Sequence, residues 1–182
     1  AAWEANLRLI ADGRFGNKLM KLMISQNHPF VPMMNAWNAN SRDMLPFDDE
    51  VARKEVEEID AKVLSNRKPP YPPVGGLFDA LTETKGEVLA ATNHELSRAA
   101  ELFMELEGND IHPAAAVAVA TLMQAVIENK VEPEAIVMLN ITGGGEERMK
   151  KGKTLHYLLP SQVFDYNPKL EDVNSALKEI FG

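Results

Sequence analysis

Six of the eight residues at 135–142 are apolar, without in-and-out alternation, and the run stops at the hydroxyl of Thr142 followed by Gly143, Gly144 and Gly145. A continuous apolar run of that length predicts a strand buried on both faces, as in a parallel sheet covered by helices. No other segment constrains the fold as much. In open sheets of this kind ligands sit beyond the carboxyl ends of the strands. Thr142 then delivers a polar group to the ligand crevice, and the glycines let backbone approach a flat or charged ligand. A strand followed by a plain glycine turn accounts for the same residues.

The surrounding segments supply helices for such a sheet. Pro113 opens a helix, and residues 114–127 are apolar nearly all round with six alanines among fourteen, so this helix must be packed on several sides and close to the sheet. Thr121 and Gln124 interrupt it, and it falls short of the ~20 residues of a membrane span. Thr92-Asn-His-Glu95 has the capping-box form, followed by Leu96, Ala99, Ala100, Phe103 and Leu106 on one face and by Gly108 as the stop. Residues 87–92 read as a short buried strand and 77–84 as a short helix. Residues 18–25 read as a strand leading into a loop at 26–42 with one helical turn. Val51, Val56, Ile59 and Val63 have surface-helix spacing within the charged segment 48–64, and residues 170–181 form a last amphipathic helix. Strand, two helices, strand and glycine loop in succession predict an α/β fold with a mainly parallel sheet.

Residues 67–76 hold four prolines around Tyr71 and end in Gly75-Gly76. Such a segment is stiff and non-helical. It reads either as an arm that holds backbone against a ligand or as a surface connection.

A length of 182 residues suits one domain, and a formal charge of -8 with pI near 5.1 argues against nucleic acid or an anionic membrane as partner. No cysteine is present, which removes disulfides, thiolate metal sites and cysteine nucleophiles. No signal-like segment is evident, so a cytoplasmic location is the expectation. Ala1 opens directly into a helical pattern carrying Trp3, Leu7 and Ile10, with no capping residue, which suggests a chain cut inside a larger protein or, equally, a processed terminus.

Of catalytic chemistry little is visible. The histidines at 28, 94, 112 and 156 have no metal-ligand spacing, so no metal is expected. No Gly-x-Ser-x-Gly elbow occurs, and the three glycines are not followed by the Lys-Ser/Thr of a nucleotide loop. His112 precedes Pro113 at a helix entrance, where capping or packing outweighs catalysis, and the charge run at 146–151 reads as a solvated helix or loop. Arg42 and Arg148 could in principle meet an anionic substrate, but solvent-facing arginines are commoner, and neither is assigned to one.

Gly75-Gly76, the strand at 87–92, the helix entrance Gly108-Asn-Asp-Ile-His-Pro-Ala-Ala-Ala116 and Asn140-Ile-Thr-Gly-Gly-Gly145 together resemble the C-terminal half of pyridoxal-phosphate enzymes of the tryptophan-synthase-β fold. The chain is most similar to the threonine synthase group and, within it, to the archaeal cysteate synthases. The resemblance implies a three-layer α/β domain with a mainly parallel sheet, of which residues 1–182 form a single partial domain. It implies pyridoxal 5'-phosphate as cofactor of the intact enzyme, with Thr142 hydrogen-bonded to the pyridine nitrogen. It sets Gly75 and Gly76 against the cofactor ring and Gly143 and Gly144 as the floor beside it. It also implies that the Schiff-base lysine, the phosphate cradle and the substrate-carboxylate loop lie upstream of residue 1, so this stretch holds no catalytic residue and is inactive alone. The implied substrate is a small phosphoamino acid: O-phosphoserine with sulfite for a cysteate synthase, or O-phosphohomoserine for a threonine synthase. Relatives are usually dimers, so a homo-oligomer is compatible.

Two departures bear on this choice. His112 stands where many relatives carry glutamate, and three glycines stand where many threonine synthases have Gly-x-Gly with a larger middle residue. The triple glycine and the loop around Asn38 tilt the resemblance toward cysteate synthase. A stand-alone ligand-binding α/β module using the crevice near Thr142 without catalysis remains the reading from another class.

Overall fold

The computed structural model describes residues 1–182 and divides into two units, Ala1–Arg148 and Met149–Gly182. The first is α/β. Its elements are α1 (Ala2–Asp12), β1 (Met23–Asn27), α2 (Pro32–Asn38), α3 (Asp49–Glu58), a 3-10 turn (Lys62–Leu64), α4 (Leu77–Glu83), β2 (Glu87–Ala91), α5 (Asn93–Glu107), α6 (Pro113–Ile127) and the short α7 (Glu146–Lys150), which runs across the boundary. Strands β1 and β2 pair in parallel, from Met23 opposite Glu87 to Asn27 opposite Ala91, and form a two-stranded sheet.

Helix α6 packs against α5 and both strands. Its alanines make this close approach possible: Ala115, Ala116, Ala120 and Ala125 are buried beside Val117 and Val119. Two polar ties fix the helix on the sheet. The Thr121 and Ser25 hydroxyls lie 2.6 Å apart. Gln124 donates to the Ala90 carbonyl oxygen at 3.1 Å and to the Glu95 carboxylate at 2.9 Å. At the head of α5 the capping box is complete: Thr92 Oγ1 accepts from the Glu95 N–H, and the Glu95 carboxylate accepts from the Thr92 N–H at 2.7 Å. Gly108, at φ 68°, ends the helix in the left-handed conformation that its lack of Cβ favours.

Where the strands end, Asn27 ties several segments together. Its buried side chain donates to the Ala91 carbonyl oxygen at 3.0 Å and to Asn93 Oδ1 at 3.0 Å, and it accepts from the Ala61 N–H at 3.0 Å. Asn93 in turn accepts from the Asp60 N–H and donates to the Glu58 carbonyl oxygen. A carboxamide offers donors and acceptors together, which is why it suits a junction of this kind.

Four expectations need correction. Residues 135–142 are not a strand. A strand is a relation to a neighbour, and this run pairs with none: Ile136 is 101% exposed and Met138 80%, while Leu139 and Ile141 alone pack inward, on the cluster of Ala91, Ala99, Val119 and Ala120. The first strand lies at Met23–Asn27 and not at 18–25, because its pairing with β2 decides its limits. The loop at 26–42 holds two turns of helix, α2, started by Pro32. In the segment 48–64 the inward face is Ala52, Val56 and Ile59; Val51 and Val63 are exposed, and Ile59 already leaves the helix as its cap.

The second unit carries α8 (Leu170–Phe181), which matches the expected last helix and has no buried residue. No helix of the chain is long and apolar enough to cross a membrane.

Candidate functional site

Thr142 is brought to the surface by the inward-facing residues on either side of it. Leu139 and Ile141 face the α5–α6 core, Asn140 and Thr142 face outward, and Gly143 turns in again. This alternation of period two is that of an extended chain lying on a core without a sheet partner. The Thr142 side chain is exposed, and its hydroxyl makes no hydrogen bond to another protein group.

The glycines that follow are clasped to the entrance of α6. The His112 N–H donates to the Gly143 carbonyl oxygen at 2.9 Å, and the Gly145 N–H donates to the Asp110 carbonyl oxygen at 2.7 Å. Ile111 and Gly144 form an isolated antiparallel bridge. The Asp110 carboxylate then accepts from the N–H groups of Glu146 at 2.8 Å and Glu147 at 3.1 Å, the first two residues of α7. Its other oxygen, Oδ1, is buried and accepts no hydrogen bond of good geometry. Burial pushes this carboxyl up, and the backbone N–H groups of Glu147, Asp110, Arg148 and Glu146 together bring it below its ordinary value.

This clasp explains why the residues are glycines. A Cβ on Gly144 would run into the Asp110 carbonyl oxygen and come within 2.8 Å of Ile111 Cα, and one on Gly143 would sit 2.9 Å from His112 Nδ1. The backbone crossing therefore excludes a side chain at Gly144, and at Gly143 a side chain would require the half-exposed His112 imidazole to move. His112 provides the wall against Gly143; its side chain makes no cap hydrogen bond to α6, and its Nε2 lies 3.4 Å from the Glu146 carboxylate.

The second glycine turn is built on different neighbours. Gly76 donates to the Pro73 carbonyl oxygen at 2.8 Å, and a Cβ there would stand 2.6 Å from that same oxygen. Gly75, at φ 74°, is exposed, and its N–H donates to Asp79 Oδ2 at 2.7 Å. Tyr71 anchors the proline arm: it is fully buried, its hydroxyl donates to the Ser41 carbonyl oxygen at 3.0 Å, and its ring meets Phe78 edge-on with centroids 5.8 Å apart.

Both arginines that an anion would have met are engaged. Arg42 forms a two-pronged pair with Asp79, donates to the Pro72 carbonyl oxygen at 3.2 Å and lies over the Phe78 ring at 4.8 Å. The Arg42 side chain, and next the Gly75 N–H, hold the Asp79 carboxyl below its usual range. Arg148 donates to Asn109 Oδ1 at 3.0 Å. Sequence reasoning gave Asp79 and Asp110 no role. For Asp110 the one signal was its position two residues before His112 in the quoted helix entrance.

No family model matches the chain. Among curated proteins it is similar to the cysteate synthase of Methanosarcina barkeri, at 50% identity over 161 residues, covering 88% of this chain and 39% of that protein. The cysteate synthase of Methanocella paludicola is 47% identical over 180 residues, 98% of this chain and 42% of that protein. That of Methanospirillum hungatei is 40% identical over 179 residues, with the same coverage. The chain thus spans about two fifths of the length of the curated relatives it matches. At 40–50% identity over 88–98% of its own residues, it is a homologue of the proteins named cysteate synthase across the stretch they share.

Proposed function

We propose that residues 1–182 are a partial α/β domain, one wall of the cofactor site, of a pyridoxal-phosphate enzyme that replaces the phosphate of O-phosphoserine with sulfite to give L-cysteate, a step toward coenzyme M. In the reaction the C–O bond to phosphate breaks, a C–S bond to sulfite forms, and phosphate leaves. The observation that carries this reading is the 47% identity to a cysteate synthase over 180 residues, a span that includes or adjoins every motif named above. A three-layer fold of the tryptophan-synthase-β type, a cytoplasmic location and a small phosphoamino acid as partner go with it.

The residues fit one wall of such a site. When bound, pyridoxal phosphate supplies an electron sink for bond breaking at the β carbon. Thr142 presents an exposed hydroxyl that no protein group occupies, available to the pyridine nitrogen. A neutral hydroxyl there leaves the nitrogen largely unprotonated, which favours elimination and replacement over transamination. Gly75 presents bare backbone at the surface, as a turn lying against a ring requires, and Gly143 and Gly144 carry the chain on from Thr142 along a path that admits no side chain at Gly144.

The test uses protein produced from its whole reading frame. Visible cofactor absorption, and phosphate release with formation of cysteate from O-phosphoserine and sulfite, are expected, whereas residues 1–182 alone stay colourless and inactive. Phosphate release from O-phosphohomoserine only, or no cofactor absorption, overturns the reading.

A further inference from the structure

The Thr142 hydroxyl has no side-chain partner to aim it, so its position depends on the backbone that carries it. Upstream, Leu139 and Ile141 are held by apolar contact alone, which resists sliding weakly because it is non-directional. Downstream, four hydrogen bonds from the backbone of residues 143–147 converge on residues 110–112. The Gly145 N–H meets the Asp110 carbonyl oxygen, the Gly143 carbonyl oxygen meets the His112 N–H, and the Glu146 and Glu147 N–H groups meet the Asp110 carboxylate. Asp110 takes part in three of these four bonds. It sits three residues before Pro113, at the entrance of α6, whose buried alanines fix it to the sheet.

We propose that Asp110 is a positioning residue for the cofactor-facing turn at 142–145: it seizes the amides on the far side of the three glycines and registers Thr142 against the rigid α6. This rests on the functional reading above. Gly144 gives the clasp its register, since its lack of a Cβ lets the chain cross Asp110 and Ile111 so closely. A carboxylate suits the role because one side chain receives both amides at the head of α7, where the exposed backbone N–H groups favour negative charge. Asp110 acts through Gly143–Gly145 and not on the cofactor itself in this reading.

The test is made on whole-reading-frame protein loaded with pyridoxal phosphate. D110A is expected to speed amide hydrogen exchange at Glu146 and Glu147 about tenfold, the loss expected when a hydrogen bond to a charged acceptor is removed, while α5 and α6 keep their protection. It is also expected to shift the visible absorption band of the cofactor and to weaken cofactor binding severalfold. D110N retains an acceptor oxygen and restores both readings. Thr142→Val shifts the band with exchange unchanged. If D110A fails to accumulate, Asp110→Ser, too short to reach both amides, takes its place.

Unchanged exchange in D110A overturns the clasp. Faster exchange with an unshifted band overturns the positioning role. Failure of the functional reading looks different, because the unsubstituted protein then shows no cofactor band, and that result removes the inference before any variant is made.

Discussion

Replacing Tyr71 by phenylalanine isolates one hydrogen bond made by a fully buried side chain. The ring keeps its edge contact with Phe78 at 5.8 Å, and only the bond from the hydroxyl to the Ser41 carbonyl oxygen at 3.0 Å is lost. One neutral hydrogen bond contributes about 1 kcal/mol net, and a carbonyl left dry raises the cost to about 2 kcal/mol. With a urea slope of about 2 kcal/mol/M for a domain of this size, the midpoint falls by about 0.5–1 M. Tyr71→Ala removes the ring as well and costs about 3–5 kcal/mol. Trp37, whose ring stands 5.8 Å from Phe78 in the same cluster, reports the transition by fluorescence. The alkaline limb gives a second reading. Burial pushes the Tyr71 hydroxyl above its ordinary value, against a smaller opposing pull from Arg42. A raised acid contributes stability that is present below its unfolded value, about pH 10, and is lost as pH rises through the folded one. Y71F therefore lacks this part of the alkaline loss. The reasoning is refuted if Y71F costs as much as Tyr71→Ala, or if it keeps the full alkaline slope.

Further outcomes are expected. Gly144→Ala overpacks the crossing at Asp110 and Ile111 and lowers stability by about 1–3 kcal/mol in urea titration, with faster exchange at the Gly145 amide. Thr92→Ala removes the cap of α5 and costs about 1 kcal/mol. The Glu95 carboxyl is held below its usual range first by the Thr92 N–H, then by the Thr92 hydroxyl and Gln124. Wild-type stability from it is present above the ordinary carboxylate range and lost as pH falls through the folded value, so the gap to T92A, read by thermal melts, narrows in acid. Arg42→Lys keeps charge but loses the two-pronged pair and the bond to Pro72, which speeds protease cleavage within residues 67–76. Wild-type cleavage rises toward that of R42K as pH falls through the depressed Asp79 value, and a flat acid profile contradicts the latch.

The elements legible in the sequence were those decided within a few residues. The Thr92–Glu95 capping box, the Gly108 stop, the alanine-rich α6 and the last helix are all local, and they stand where the sequence puts them. The apolar run at 135–142 misled because strand character depends on a neighbour to bond with, and an apolar composition cannot say whether one is present. Val51 and Ala52 exchanged faces because one residue on a helix turns a side chain by about 100°. Of the candidate site, Thr142 could be singled out from its place at the end of the run, and the structure sets it at the surface, whereas Asp110 and Asp79 act on amides that are distant in sequence or part of a turn, and no spacing rule announces such bonds. Tyr71 lay hidden because prolines suggest an exposed arm, while its ring is the plug that fastens that arm down.

The carboxamide of Asn27 also bears on how the chain acquires its structure. Its partners come from the stretches around residues 61, 91 and 93, and a buried polar group left half-satisfied is worse than an apolar one. A collapsed intermediate with any of these stretches undocked strands an amide in a dry interior. The junction thus acts as conformational proofreading, penalising near-native arrangements that hydrophobic contact alone would tolerate.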